Sequence, residues 1–421
     1  MTVLEKLLKE QTDGFRVITS RTESYELFFV HHRLETVRAT DTSETSVTVY
    51  VRHDGKLGDS TFSMYGSMTE EEIAEKIREA VSRAGLVYNE PYELPEGGDF
   101  SAELPSNMKE RDPKALAAEI AEAVFAADCM KGGSVNATEI FLYRDTVRVT
   151  NSRGIDKTQV KYRAMIEAIP TFTEGEESVE LYEAIRFTDF SAADITAEIT
   201  EKLEETMRRR QAAKPETPQT VDVVLRCNEI SELMSELAYD LTYPGVYSQA
   251  NLHKKGDVLQ DGSCDRLTLT MKGQIHGSDR SAYFDEDGVK LTDTVLIRDG
   301  EVTGYFGSHR FASYLGEPDT GNLSCMKVEA GTLTAEELES MPYLECVSLS
   351  GLQVDLYHDY IGGEIRLAYL HKDGKVLPVT GVSMSAKLSE VLNTLRLSDT
   401  SKTLGVYEGP DKLLMHHVKL M

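Results

Sequence analysis

The chain has 421 residues, more than one ordinary hydrophobic core accommodates, so its length favours two domains. With 40% hydrophobic and 28% charged residues, it has the composition of a globular protein and not of a disordered or fibrous one. Its formal net charge of -26 repels a phosphate backbone at long range, which argues against direct binding to nucleic acid.

The start of the chain and its cysteines favour a reducing cytoplasm. The first ten residues are charged throughout and lack the apolar core of a signal peptide. No apolar run approaches the roughly 18 residues of a membrane span. Five cysteines stand far apart, at 129, 227, 264, 325 and 346, without a Cys-x-x-Cys pair. This spacing argues against a disulfide framework and against a cysteine-based zinc site.

The first half of the sequence contains a similar unit twice, at about 1–88 and 108–211. Each unit is predicted to be a helix, four strands and a helix. In the first unit the helices are predicted at 2–11 and 69–84, with strands at 25–30, 35–40, 46–52 and near 61. In the second they are predicted at 113–127 and 194–210, with a hairpin of 139–143 and 146–150 around Arg144-Asp145 and longer strands at 159–169 and 179–188. The repeat predicts two α+β layers side by side.

Two segments are predicted to be connections. Residues 89–107 are rich in proline, glycine and acidic residues, which is typical of an exposed link between the two units. Residues 212–218, with Pro215 and Pro218, form the best domain boundary. The predicted domains are therefore 1–218 and 219–421.

The second domain is predicted to open with a strand that leads directly into a helix. The strand is the apolar run 221–225, and the helix extends from an Asn228 cap to Leu241. One buried stripe is expected on this helix, formed by Ile230, Leu233, Met234, Leu237, Ala238 and Leu241. Glu229, Glu232 and Glu236 form a row of like charges on its flank, for which a solvated face is the simplest interpretation.

The rest of the second domain consists of short alternating runs broken by glycine and aspartate. Strands are predicted at 266–272, 293–298, 301–306, 343–349, 363–371 and 375–380, with helices at 309–315 and 386–397 and an edge strand at 416–420. The pattern predicts a mostly antiparallel β domain with few helices, and closure into a barrel is one option. The whole chain is thus predicted to be α+β.

Most signatures of enzyme chemistry are absent from the sequence. It has no Gly-x-Gly-x-x-Gly, P-loop, Gly-x-Ser-x-Gly or His-Glu-x-x-His, so nucleotide-binding and serine-hydrolase functions lose support. The segment 285–288 resembles part of a calcium loop, but Tyr283 and Thr294 occupy the positions where the end ligands belong. A tight polar turn is expected there instead. The histidines at 253, 276, 309 and 358 are scattered and do not form a metal motif.

Several stretches together resemble the TldD/PmbA family, a two-protein bacterial system whose members were called modulators of DNA gyrase and which acts as a metallopeptidase. They are Asn151-Ser152-Arg153-Gly154, Phe284 to Gly288 ahead of Leu296 to Val302, Thr320-Gly321-Asn322, and Asp373 to Val382. The resemblance follows from their order and spacing over about residues 20–400. It implies candidate substrate-binding roles for Asn151, Asp285, Asp287 and Asn322.

The resemblance also implies which subunit this chain is. TldD-type subunits carry His-Glu-x-x-x-His on the helix after the domain boundary, and a downstream cysteine completes their zinc site. The corresponding positions here are Ser231, Glu232, Ser235 and Glu236, and no cysteine follows Cys346. Without imidazole ligands this chain is expected to bind no metal and to be the PmbA/TldE-type subunit. The segment 360–364 also departs from the family's Thr-Gly-Asp-like turn.

The resemblance therefore predicts a non-catalytic subunit of a system that degrades or processes small or unfolded peptides. Its partner is expected to be a zinc-bearing TldD-type subunit or a second copy of itself. One alternative is a self-sufficient homodimeric hydrolase in which Glu232, Glu236, Asp285 and Asp287 act as acid and base. A second alternative is an acidic binding or assembly protein, with a role of the gyrase-modulator type.

Overall fold

The computed structural model describes residues 3–421, over which the chain is a mixed α+β protein of nine helices and twenty-one strands. The helices are α1 (Val3–Gln11), α2 (Glu70–Ala84), α3 (Pro113–Ala126), α4 (Ala192–Gln211), α5 (Cys227–Asp240), α6 (Tyr243–Tyr247), α7 (His309–Leu315), α8 (Ala335–Glu339) and α9 (Leu388–Thr394). No helix within 3–421 is both long and apolar enough to cross a membrane. The first predicted helix is present from Val3, and Thr2 lies outside the described residues.

The strands fall into an N-terminal set and a C-terminal set. The first set is β1 (Gly14–Val30), β2 (Arg33–His53), β3 (Lys56–Met64), β4 (Asp99–Glu103), β5 (Gly133–Asn151), β6 (Asp156–Glu174), β7 (Glu177–Glu180) and β8 (Glu183–Phe187). The second set is β9 (Gln219–Arg226), β10 (Leu269–Lys272), β11 (Thr294–Arg298), β12 (Glu301–Val302), β13 (Cys325–Val328), β14 (Tyr343–Asp355), β15 (Tyr360–Lys372), β16 (Lys375–Val379), β17 (Val382–Ala386), β18 (Arg396–Leu397), β19 (Ser401–Leu404), β20 (Tyr407–Pro410) and β21 (Lys412–Leu420).

All eight N-terminal strands belong to one sheet. Its order is β3-β2-β1-β5-β6-β4, with β7 and β8 also paired to β6. The central strand β1 is antiparallel to both β2 and β5, so the two similar units share a continuous sheet instead of forming separate layers. Helices α3 and α4 bury Ile120 and Ile199 against Ile140 and Ile166 of this sheet. The N-terminal core therefore lies between the sheet and the helices on it.

The number of strands in the first unit differs from the prediction. The predicted strands 35–40 and 46–52 are one 21-residue strand, β2, so this unit has three strands instead of four. The predicted hairpin at Arg144-Asp145 is also wrong, because both residues lie inside the 19-residue β5. Arg144 pairs with Glu23, and Asp145 accepts a hydrogen bond from Thr22 at 2.8 Å. Pairing across the sheet satisfies these polar side chains without a turn.

Residues 89–107 are only partly the exposed connection that their composition predicts. Strand β4 within this segment pairs in parallel with β6 and extends the sheet. Leu94, which is 9% exposed, packs against Tyr50 and Leu57. The few apolar residues among the prolines and glycines are enough to bind the segment to the sheet.

Five C-terminal strands close into a barrel. The ring follows β14-β9-β21-β17-β15, and a further pairing of β15 with β14 closes it. Strand β21 was predicted at an edge, but it lies within the ring between β9 and β17 because side chains on both of its faces are buried. A separate six-stranded sheet has the order β12-β11-β10-β13-β20-β19. Helix α5 packs between this sheet and the barrel.

Candidate functional site

Helix α5 follows strand β9 without a loop and is anchored by its apolar stripe. Ile230, Leu233 and Met234 are all 0% exposed, and the rest of the predicted stripe is buried as well. The predicted Asn228 cap is wrong, because the helix already begins at Cys227 and Asn228 lies in its first turn. The residue before the helix is Arg226, whose guanidinium pairs with Glu345 instead of capping the helix. The stripe leaves one polar flank on α5.

The polar flank carries the four positions singled out in the sequence. Ser235 Oγ donates to the Ser231 carbonyl oxygen at 2.7 Å. Glu232 is exposed, and its carboxylate accepts from the Leu352 backbone N–H at 3.1 Å, which links the helix to β14. Glu236 is exposed and borders a cleft. The expected row of glutamates is therefore divided among different surroundings.

Glu229, the first glutamate of that row, is not solvated. It is only 8% exposed at the start of α5. Burial raises the pKa of its carboxyl to about 7, and the nearby Glu232 adds to the rise. Burial therefore favours the neutral, protonated form of this carboxyl over the ionised form.

A cleft of about 650 Å³ lies at the C-terminal end of α5. Its walls come from α6, the end of β14 and the loops around Gly307 and Asn322; it is lined by Glu236, Tyr239, Asp240, Thr242, Pro244, Gly245, Ser248, Ala250, Asn251, Phe306, Gly307, Asn322, Val354, Asp355, Leu356 and Tyr357. The charged side chains in this lining are all carboxylates. Tyr239 and Tyr357 are 73% and 65% exposed, so both present aromatic surface to the solvent.

Asp240 is the buried carboxylate of this lining. His253 Nδ1 lies 2.9 Å from its Oδ2, and the Leu252 backbone N–H donates to Oδ1 at 2.6 Å. Burial opposes ionisation of Asp240, but these hydrogen bonds outweigh it and hold the pKa below its usual value. The carboxylate therefore orders the loop after α6. Sequence reasoning missed this pair, since the two residues are separated by a loop and follow no motif.

The segment 285–288 is the tight polar turn that the sequence predicts. The Asp285 carboxylate accepts from the backbone N–H groups of Asp287, Val289 and Asn322, each at 3.0 Å. Burial, with the neighbouring Asp287, raises the pKa of Asp285 to about 6. Gly288 has a φ of +75°, which a residue with a side chain rarely adopts. Asp285 thus connects the turn to the Asn322 loop of the cleft.

The same turn holds the C-terminal half against the N-terminal sheet. Asp287 forms an ion pair with Arg16 of β1. Lys157 Nζ donates to the Gly288 carbonyl oxygen at 2.7 Å. Phe284 is buried with Val149 and other apolar residues of the sheet. The turn therefore has a clear role in joining the two halves.

Asn151 has a structural role away from the cleft. Its Nδ2 donates to the Pro95 carbonyl oxygen at 2.8 Å, and its Oδ1 accepts from the backbone N–H groups of Arg153 and Ile155. Of the predicted site residues, the structure brings only Glu236 and Asn322 into the cleft lining, with Asp285 behind Asn322. Glu232, Asp287 and Asn151 make other contacts, and Ser231 and Ser235 remain on the α5 flank.

The residues present do not fit a zinc ion of the kind that the resemblance implies for TldD-type subunits. Within residues 3–421, no three His, Cys, Asp or Glu side chains are grouped so as to hold a metal. Cys346 is 0% exposed inside the barrel, with its Sγ 3.8 Å from Met384 Sδ. Burial raises the pKa of this thiol far above its usual range, so the thiolate that zinc requires is disfavoured.

Comparisons with known proteins agree with this architecture. Residues 218–418 match the family model described as the PmbA/TldA metallopeptidase C-terminal domain. The fold is similar to that of TldE from Thermococcus kodakarensis, with a TM-score of 0.82, 17% identity and complete coverage of both chains. It is also similar to a candidate modulator of DNA gyrase from Bacteroides thetaiotaomicron, with a TM-score of 0.82 and 18% identity over 99% of this chain and 97% of that one.

A short stretch also matches a protein from Synechocystis sp. named metalloprotease slr0863. The two are 46% identical over 48 residues, which is 11% of this chain and 10% of the relative. The matched stretch thus spans about a tenth of that protein. The barrel, the single N-terminal sheet and the match to the family model together indicate a metallopeptidase-related α+β protein. The C-terminal half of the chain therefore carries a PmbA/TldA metallopeptidase C-terminal domain, and the whole chain has the fold of the solved TldE structure.

Proposed function

We propose that this chain is a PmbA/TldE-type subunit without catalytic zinc, which works in the cytoplasm with a zinc-bearing TldD-type subunit on small or unfolded peptides. One observation supports the proposal: the polar flank of α5 presents Ser231, Glu232, Ser235 and Glu236, the positions onto which the resemblance maps the zinc motif of TldD-type subunits. Serine and glutamate provide no imidazole nitrogen for zinc. No step of peptide hydrolysis is therefore assigned to this chain.

The cleft beside α5 is the proposed peptide site. The end of β14, at Val354 and Asp355, borders it; this end pairs with β15 on one side, whereas the pairing of β14 with β9 extends only to Glu345. Backbone groups at such strand edges can bind an extended peptide through its own main chain, whatever its sequence. A folded protein has few free main-chain groups and does not fit a cleft of about 650 Å³. This combination favours unfolded peptides as ligands.

The carboxylates of the cleft favour cationic peptides. Glu236, Asp240 and Asp355 line it, together with the exposed rings of Tyr239 and Tyr357. Carboxylates attract ammonium and guanidinium groups, and tyrosine rings add cation–π contacts. We expect a labelled, unstructured peptide with several lysines to bind the purified chain more tightly than its glutamate counterpart. Fluorescence anisotropy at low and high salt measures the difference.

The Glu236→Lys variant tests whether this binding occurs in the cleft. It should weaken binding of the lysine peptide by about tenfold, because a cation replaces an anion in the lining. Glu339→Lys, at the exposed C-terminal end of α8, is the matched control and should leave binding unchanged. Equal losses in both variants would instead indicate attraction by the net charge of -26, as expected of the acidic binding protein.

The self-sufficient carboxylate hydrolase has less support. Asp287 is paired with Arg16, and Asp285 already accepts three backbone hydrogen bonds. These contacts assign both carboxylates to the turn, and neither lines the cleft. The mass of the complex distinguishes the two expected partners. A homodimer has twice the 46.9 kDa of one copy of this chain, whereas a complex with a TldD-type subunit appears only when that subunit is added. Light scattering after size exclusion, with and without a TldD-type subunit, distinguishes them.

A further inference from the structure

A second pocket lies on the N-terminal sheet, between strands β1, β5 and β6 and the start of α3. Its residues are far from those of the cleft in the sequence. Its volume is about 440 Å³, within the range of small-molecule sites. It shares no lining residue with the cleft beside α5. Neither the family resemblance nor the proposed peptide function uses this pocket.

The floor of the pocket is a row of side chains across three strands. Glu23 of β1 is opposite Arg144 of β5, which is opposite Tyr162 of β6. Arg144 Nε donates to the Tyr162 hydroxyl at 3.3 Å, and its Nη1 donates to Glu23 at 2.5 Å. These contacts fix the guanidinium but use only two of its five N–H donors. Arg144 is therefore oriented and retains donors for a ligand.

The walls beside this row are apolar. Leu142 and Tyr25 form the next row on the same face of the sheet, and Met108 and Leu116 come from the chain around the start of α3. Leu116 and Met108 are 3% and 5% exposed. Such walls suit the hydrocarbon or aromatic body of a ligand, with its polar end at Arg144.

The charge of the pocket is opposite to that of the chain. Four cationic residues on this face line it (Lys109, Arg111, Lys114 and Arg144), against the two carboxylates Glu23 and Asp112; Arg163, on the other face of β6, is paired with Asp145. Lys109 and Arg111 are held by Glu103 and Glu119, which lie outside the lining. Lys114 is exposed at the rim. A cationic, apolar pocket in a chain of net charge -26 favours an anionic ligand with an apolar body.

We propose that this pocket binds a small organic carboxylate with an aromatic or aliphatic body, whose carboxylate is held by Arg144. The guanidinium is suited to this role because its planar donors match the two oxygens of a carboxylate. The same chemistry is present in a free small acid and at the C-terminus of a peptide that ends in an apolar residue.

Calorimetric titration of the full chain with 3-phenylpropanoate tests the proposal, with 3-phenylpropanamide as the neutral counterpart. We expect saturable binding of the acid and binding of the amide about tenfold weaker, since the amide lacks the charge-assisted hydrogen bonds. The tetrapeptide Ala-Ala-Ala-Phe distinguishes the two sources. Tighter binding of the peptide than of 3-phenylpropanoate, unchanged in the cleft variant Glu236→Lys, identifies peptide C-termini as ligands, and weaker binding identifies free acids.

Two variants locate the binding, with a matched control on the same strand. Arg144→Gln should weaken binding of 3-phenylpropanoate about tenfold. Arg148→Gln, which also removes an ion-paired arginine of β5 but lies outside the pocket, should leave it unchanged. Should Arg144→Gln fail to fold, Lys114→Glu reverses an exposed rim charge where the helix start favours an acid, and should weaken binding too. Absence of saturable binding, or equal binding of acid and amide, would overturn the proposal.

Discussion

At the scale of single residues, the buried carboxyl of Glu229 is expected to make stability depend on pH. Its pKa is raised to about 7 by burial, so the folded state holds the proton more tightly than the unfolded state does. Above pH 7 the folded protein must bury a charge, and this cost disappears as pH falls to the usual carboxyl range. Glu229→Gln should therefore raise the free energy of unfolding at pH 8 by about 2–3 kcal/mol and change it little at pH 4.

Urea unfolding at the two pH values measures this effect. Glu236→Gln on the same helix is the control, because its carboxylate is exposed to solvent whereas that of Glu229 is buried. A Glu229→Gln variant that is equally destabilised at both pH values would contradict this, because it would show that the carboxyl stabilises the fold through a contact that does not depend on its charge.

The residues of α5 show what a sequence reveals at this scale. Its buried stripe was predictable, since apolar residues at helical spacing must share one face. The burial of Glu229 was not, because it depends on how the start of the helix meets the barrel. The turn at Asp285 was also predictable, because the polar residues and the glycine that follow it are typical of a turn. The bond of Asp285 to the Asn322 backbone depends on two loops meeting in space.

At the scale of elements, the contact between β3 and the end of α2 depends on Gly58. A Cβ atom on Gly58 would lie 1.8 Å from the Ala84 carbonyl oxygen. This oxygen belongs to the backbone, so it cannot avoid the clash by a change of rotamer. We expect Gly58→Ala to separate the strand from the helix and to lower the free energy of unfolding by more than about 3 kcal/mol. Thermal unfolding followed by circular dichroism measures the loss.

Gly66→Ala is the matched control for this contact. A Cβ atom there meets nothing within 4 Å, and the backbone does not require glycine. Its unfolding temperature should match that of the parent chain. If Gly58→Ala had the same unfolding temperature as the parent chain, this would contradict the close contact between β3 and the end of α2.

The positions of elements were more predictable than their lengths. Helix α7 was predicted at its observed bounds, and α2 was predicted to start at Thr69, which is its N-cap and forms a capping box with Glu72. Strands β2 and β5 were each divided in two, because polar residues inside a long strand look like a turn when their cross-strand partners are unknown. Barrel closure depends on β14 meeting β15 and β9, which local periodicity does not specify.

At the scale of the whole molecule, the ion pair of Arg16 with Asp287 joins the N-terminal sheet to the C-terminal half. Both side chains are largely buried, with 21% and 16% exposed. Asp287→Asn should therefore destabilise the chain by about 2–3 kcal/mol, because it leaves a buried guanidinium without its counter-charge. The control is Asp41→Asn, which breaks the half-exposed pair with Arg21 and should leave the chemical-denaturation midpoint unchanged. Equal midpoints for both variants would contradict this role of the pair.

We propose that this chain contributes binding surface, and no zinc chemistry, to a two-subunit peptidase. Cleavage of an unstructured fluorogenic peptide tests it most directly, using the purified chain with and without added zinc and then together with a TldD-type subunit. We predict no turnover by the chain alone at any zinc concentration, and turnover that appears with the partner and is lost on chelation. Zinc-dependent turnover by the pure chain, in proportion to the metal it binds, would contradict the claim.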